Sequence, residues 1–125
     1  MSPGPAATPF SVPPGWRSRR RGGGLVATRP GPGPVPARLE WRTGPPPAYD
    51  AEVVEDEDTF DLGGLPVDYR RVGHRAAGVE LVSEEWTWHC DGERRALIGT
   101  VAREDYLSVC DVFEDVAAAV EPWQP

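Results

Sequence analysis

The chain has no lysine: all 13 of its basic residues are arginine, a bias that reflects a GC-rich gene rather than any single site. Cysteine is almost absent too. Cys90 and Cys110 are too few for a disulfide scaffold. No run approaches the ~18 consecutive apolar residues of a membrane-spanning helix. The arginine cluster at 17–21 is followed by three glycines rather than by the apolar segment of a secretory signal. These absences point to a cytoplasmic protein without membrane contact. Cys-x-x-Cys, His-Glu-x-x-His, Gly-x-Ser-x-Gly, P-loop and Gly-x-Gly-x-x-Gly patterns are missing as well. No catalytic residue, cofactor or metal ion is therefore expected.

What is present is distributed unevenly. About half of the 14 glycines and 15 prolines fall in the first third of the 125 residues. Residues 1–46 hold seven arginines and a single acid, Glu40, whereas residues 47–125 hold six arginines and nineteen acids. The net charge of −7 thus conceals a basic arm on an acidic body. Residues 1–37 cannot bury enough apolar surface to offset chain entropy, so they are expected to be disordered. Within that arm, Trp16 beside Arg17, Arg19, Arg20 and Arg21 is a candidate nucleic-acid contact, the ring stacking on a base while the guanidinium groups meet phosphates.

The remaining chain, residues 38–121 with a short tail at 122–125, reads as one small α+β domain. Its centre is the segment from Gly78 to Val120. Asp91-Gly92 is a strong signal for a two-residue hairpin turn, because type I′ turns need positive φ at both central positions. That turn sets a register: Cys90 opposite Glu93, Trp88 opposite Arg95, Trp86 opposite Leu97, Glu84 opposite Gly99 and Val82 opposite Val101. This face is taken as the core. Val79 and Leu81 fall on the other, so either the sheet is apolar on both sides or a β-bulge near Ser83–Glu85 restores the alternation.

A helix follows. Tyr106, Val109, Cys110, Phe113, Val116, Ala117 and Val120 recur at helical spacing on one face, and Pro122 fits a stop. Glu104, Asp111, Glu114 and Asp115 form the opposite, acidic face, a candidate surface for a basic protein partner. Upstream, Arg38–Arg42 and Leu65–Arg70 alternate like short strands, Gly73–Gly78 reads as a connection, and Glu55–Asp58 as an acidic loop. The spacing of that loop does not match an EF-hand, since Phe60 and Asp61 occupy its fifth and sixth positions. The expected architecture is an antiparallel sheet of three to five strands, covered on one face by the C-terminal helix.

Other groupings carry less. Cys90 at the turn stands about 26 Å up its strand at ~3.3 Å per residue. Cys110 has climbed about 11 Å along a returning helix at ~1.5 Å per residue, so the two thiols do not pair. His89 and Cys90 point to opposite faces of a strand and do not converge on one ion. The same alternation separates Glu84 from Glu85. Glu84, on the core face, has space opposite Gly99 but no cation in view. Trp86 and Trp88 form either the seat of the helix or an exposed stacking platform.

The function expected from these features is a non-catalytic interaction or regulatory module, of an accessory, antitoxin-like or immunity-like kind. Nucleic-acid association through the arm is one alternative. A small enzyme with an unrecognised pocket is the other.

Overall fold

The computed structural model describes residues 9–31 and 35–122; within them, the side chain of Cys90 lies outside the description. Seven strands form one sheet: β1 (Arg17–Arg21), β2 (Gly24–Arg29), β3 (Ala37–Thr43), β4 (Val53–Leu62), β5 (Leu65–Ala76), β6 (Val79–Cys90) and β7 (Glu93–Ala102). A 3-10 turn at Arg103–Asp105 leads into α1 (Tyr106–Ala118). The spatial order is β1-β2-β3-β7-β6-β5-β4, with every neighbouring pair antiparallel.

The hairpin at Asp91-Gly92 forms in the register that the turn dictates, Cys90↔Glu93 through Val82↔Val101. Both turn residues have positive φ, 51° and 77°. No register shift interrupts β6 against β7. The sheet instead buries side chains on both faces, which is why Leu81 is as inaccessible as Trp86.

The strand count is where the sequence-based expectation fails: the described residues form seven strands, not three to five. Two of the additional strands, β1 and β2, lie in the stretch assigned to the basic arm, where Leu25, Val26 and Ala27 are buried. Phe10, in the same stretch, is 2% exposed within the main core, and Pro9 accepts a hydrogen bond from the Glu121 amide at 3.0 Å. Residues 1–8 and 32–34 of that arm, and 123–125 of the tail, lie outside the described residues. The acidic segment expected as a loop is β4, an edge strand; water on its free side lets it keep polar side chains on both faces. The expected connection at 73–78 is the end of β5 plus a tight turn at Ala77-Gly78, with φ of 51° and 78°. An alanine at positive φ carries no sequence signal for such a turn.

Two layers cover the sheet. On one face α1 lies against β7 and β6, burying Val109, Phe113, Val116 and Ala117 on Leu39, Trp41, Trp88, Leu97 and Val101. Gly99 makes this approach possible: a Cβ there would stand 2.6 Å from the Phe113 ring. Trp41 and Trp88 meet with ring centroids 5.7 Å apart. The tryptophans of β6 are therefore core, 1–3% exposed.

On the other face the connection from β3 to β4 crosses the sheet. Its Gly44 amide donates to the Arg94 carbonyl at 2.7 Å, and its Asp50 carbonyl accepts from the Arg75 amide at 3.3 Å. The prolines at 45–47, with fixed φ and no amide hydrogen, favour an extended path over a helix or an added strand.

Candidate functional site

The two adjacent glutamates of β6 organise the two sides of the sheet. Glu84 and Glu85 are each 1% exposed and, as strand neighbours, point to opposite faces. Strand β5 supplies partners for both, because Arg70 pairs with Glu85 and Arg71 with Glu84 in the ladder.

On the loop-covered face, Glu85 is fully engaged. Arg70 Nε donates to its Oε1 at 2.8 Å, and the Tyr49 hydroxyl donates to its Oε2 at 2.7 Å. The Tyr49 ring stacks on His74 with centroids 4.1 Å apart. His74 Nε2 lies 2.8 Å from Ser83 Oγ, which is also 2.7 Å from Thr100 Oγ1. A serine bonded to a histidine resembles half of a hydrolytic constellation. Ser83, however, is 0% exposed beneath this connection, so its oxygen meets no substrate. The network anchors the crossing connection. Burial pushes the His74 pKa down, against a smaller opposing pull from the Glu85 and Glu52 carboxylates. Burial, followed by the Glu85 carboxylate, pushes the Tyr49 phenol up, so it remains a donor.

On the helix side the arrangement is different. Glu84 lies under α1, and the Tyr69 hydroxyl donates to its Oε2. Its Oε1 is buried with no hydrogen-bond partner among the described residues. Burial pushes the Glu84 pKa up and the nearby Glu114 carboxylate adds to the rise; Tyr69, Tyr106 and Arg71 oppose it. Burial, together with Glu84, also raises the Tyr69 phenol. The space opposite Gly99 that the sequence suggested for Glu84 is filled by Phe113.

Above this carboxylate, between α1 and the β4–β5 edge, lies a cleft of about 360 Å³. Its acidic wall is Asp56, Asp58 and Glu114, and its apolar lining is Phe60, Tyr69, Trp86 and Tyr106. Tyr69 sits 5.4 Å from Trp86 and 6.5 Å from Phe60, centroid to centroid, so the aromatic surface is continuous. Arg71 is the one cation in the lining and is held over the Tyr106 ring at 5.9 Å. Among the described residues no group of His, Cys, Asp and Glu converges to hold a metal ion.

Of the candidate partner-binding and nucleic-acid residues singled out in the sequence, only Glu114 lines this cleft, joined by Trp86 and by Asp56 and Asp58 of the acidic segment. Glu104, Asp111 and Asp115 are exposed elsewhere along the 3-10 turn and α1. Arg17, Arg19, Arg20 and Arg21 lie on β1 at the far edge of the sheet and are exposed, while Trp16 is half-buried against the core. Cys110 is a free thiol. Sequence reasoning missed Tyr69, Arg71 and Tyr106, whose convergence depends on β5 pairing with β6. The available signal was the positive side chain of Arg71, which becomes Glu84's ladder partner once the turn at Ala77-Gly78 is recognised.

No helix of the described residues is long and apolar enough to cross a membrane. No protein-family model and no curated protein matches the chain. Solved structures do share its fold. PA94 from Pseudomonas aeruginosa, a protein of unknown function named as a candidate regulator, superposes with a TM-score of 0.69 at 10% identity, over 91% of this chain and 90% of that one. LpqN of Mycobacterium tuberculosis, involved in cell envelope biogenesis, gives 0.63 at 15% identity, over 86% and 77%. A protein from Bacteroides thetaiotaomicron gives 0.62 at 15% identity, over 92% of this chain and 44% of that one. At these identities the likeness is one of fold: the chain shares a sheet-and-helix architecture with proteins of bacterial origin.

Proposed function

We propose that this chain is a non-catalytic interaction module that binds a basic segment of a protein partner in the cleft between α1 and the β4–β5 edge. The observation that carries this reading is the pairing of an acidic wall with an aromatic floor above a buried carboxylate that lacks a partner at one oxygen. An arginine side chain suits such a surface. Its flat guanidinium stacks on the half-buried rings of Tyr69 or Phe60 while its N–H groups reach Asp56, Asp58 and Glu114. Three acids against Arg71 alone leave the lining net negative, which favours cations and disfavours phosphates or carboxylates. The fold-level likeness to a candidate regulator from Pseudomonas aeruginosa agrees with a regulatory role.

The test is a titration of the isotope-labelled protein with a short arginine-containing peptide, followed at the Trp86 indole N–H by NMR. A second peptide carries norleucine in place of arginine. Saturable, salt-sensitive shifts at Trp86 are expected with the first peptide only. They should be lost in the Asp56→Asn/Asp58→Asn/Glu114→Gln variant, whose exposed substitutions leave the fold intact. Equal shifts with both peptides, or shifts that survive the triple substitution, refute the reading.

A further inference from the structure

The two free edges of the sheet carry opposite charge. One edge is β1, Arg-Ser-Arg-Arg-Arg, exposed along its whole length. The other is β4, which carries Glu55, Asp56, Glu57, Asp58 and Asp61 and is exposed from Val53 through Thr59. Each edge presents a row of backbone N–H and C=O groups unused by the sheet.

Charged side chains commonly protect an edge strand from pairing with other molecules. That protection works between copies only when both edges carry the same sign. Here β1 against β1 sets arginine on arginine, and β4 against β4 sets carboxylate on carboxylate; both are repulsive. The β1–β4 pairing is attractive. Among the described residues, Arg17, Arg19 and Arg21 on one edge, and Glu57 and Asp61 on the other, enter no ion pair within the chain.

The topology fixes the geometry of such a contact. Seven strands alternate in direction across the sheet, so β1 and β4 point the same way. A neighbour placed beside β4 with its helix on the same face therefore presents β1 parallel to it. Side chains then meet face by face at a spacing of two. Arg17, Arg19 and Arg21 share the loop-covered face through their alignment with Val26, Glu40 and Ile98, and Glu57 and Asp61 share it through Arg70 and Glu85. The contact uses different patches on the two copies, so it leaves one free edge at each end.

We propose that copies of this chain associate edge to edge, β1 of one adding parallel to β4 of the next, and so extend the sheet in a head-to-tail series. The contact does not depend on the cleft. Glu57 and Asp61 lie outside its lining, and its test leaves Asp56, Asp58 and Glu114 untouched.

Sedimentation velocity of the nuclease-treated full-length chain tests this. At low ionic strength (about 20 mM), where screening is weak, the mean mass should rise with concentration past that of a dimer. At about 0.5 M salt, with a Debye length of only a few ångströms, it should fall to the monomer. The Arg17→Glu/Arg19→Glu/Arg21→Glu and Glu57→Arg/Asp61→Arg variants should each be monomeric alone, and mixing them should restore the series. That restoration also shows that both are folded. The salt response of the unmodified chain stands without them. A mass that stays monomeric at low salt overturns the proposal, as does a plateau at dimer or association that neither substitution weakens. Association that disappears on nuclease treatment also overturns it and assigns the arginine edge to nucleic acid.

Discussion

The Tyr69 hydroxyl donates to one oxygen of Glu84, and the other oxygen of that carboxylate is buried without a donor. Removing a carboxylate from water is costly unless hydrogen bonds replace its hydration, and here the replacement is incomplete. Tyr69, Tyr106 and Arg71 lessen that cost without abolishing it, since the Glu84 pKa remains above its ordinary value. A stabilising cation placed in the cleft above would offset more of it. The same cost can be read in the free protein.

A carboxyl whose folded pKa is raised binds its proton more tightly in the folded chain than in the unfolded one. The contribution of Glu84 to stability is therefore fully present below the ordinary value of 4.5 and is lost as pH rises through the folded pKa. Glu84→Gln keeps an acceptor for Tyr69 and removes the titration. Urea unfolding between pH 4.5 and 8 should show the unmodified chain losing stability relative to the variant as pH rises. Parallel curves for the two proteins would place Glu84 outside this account.

His74 gives the opposite sign. Its pKa is lowered from 6.5, chiefly by burial, so the folded chain favours the neutral ring. The resulting stability is present above about pH 6.5 and lost as pH falls through the folded value. Protonation there would charge a ring stacked on Tyr49 and hydrogen-bonded to Ser83, under the crossing connection. His74→Gln should flatten this acidic loss in urea unfolding between pH 7.5 and 5. The protection factor of the Arg75 amide, which donates to the Asp50 carbonyl, should fall at low pH in the unmodified chain only. A protection factor that does not change with pH in either protein would count against the assignment.

The hairpin at Asp91-Gly92 was legible to the last pair because the turn residues themselves encode positive φ. The helix was legible because Val109, Phe113, Val116 and Ala117 repeat at its period. The rest depended on information that one segment cannot hold. Arg17–Arg21 is a poor strand on its own merits and forms one by pairing with β2, whose Leu25 and Ala27 reach the core. Strand β4 has solvent on one side, so its acids mask a ten-residue strand. The cleft required β5 to be placed between β4 and β6. Only Glu114 of its wall could be named in advance, from its position on the helix.

Gly99 and Phe113 set a limit on the packing of α1. A methyl group at position 99 would stand 2.6–2.8 Å from three carbons of the Phe113 ring. Overpacking of this kind costs about 1–3 kcal/mol. Gly99→Ala should lower the unfolding free energy by that amount in urea. The Gly99→Ala/Phe113→Leu pair should cost less than the sum of the two single substitutions, because the smaller side chain makes room. Strict additivity would show that the ring does not rest on Gly99.

Ala77 holds positive φ in the β5–β6 turn, where the following residue, Gly78, does so without strain. The left-handed region costs an L-residue about 1–2 kcal/mol, and asparagine visits it more readily than alanine. Glycine removes the strain too, but loses about 0.5–1 kcal/mol of unfolded-chain entropy on folding. Ala77→Asn should therefore stabilise the chain by a few tenths to about 1 kcal/mol, read as a higher midpoint in urea with an unchanged slope, and Ala77→Gly should lie near the unmodified protein. Ala77→Val, whose branched side chain tolerates this conformation worst, should destabilise it. If asparagine and valine instead moved the midpoint in the same direction, the turn would not have the mirror-image geometry that binds β5 to β6, and the alignment of Arg71 with Glu84 beneath the cleft would lose its basis.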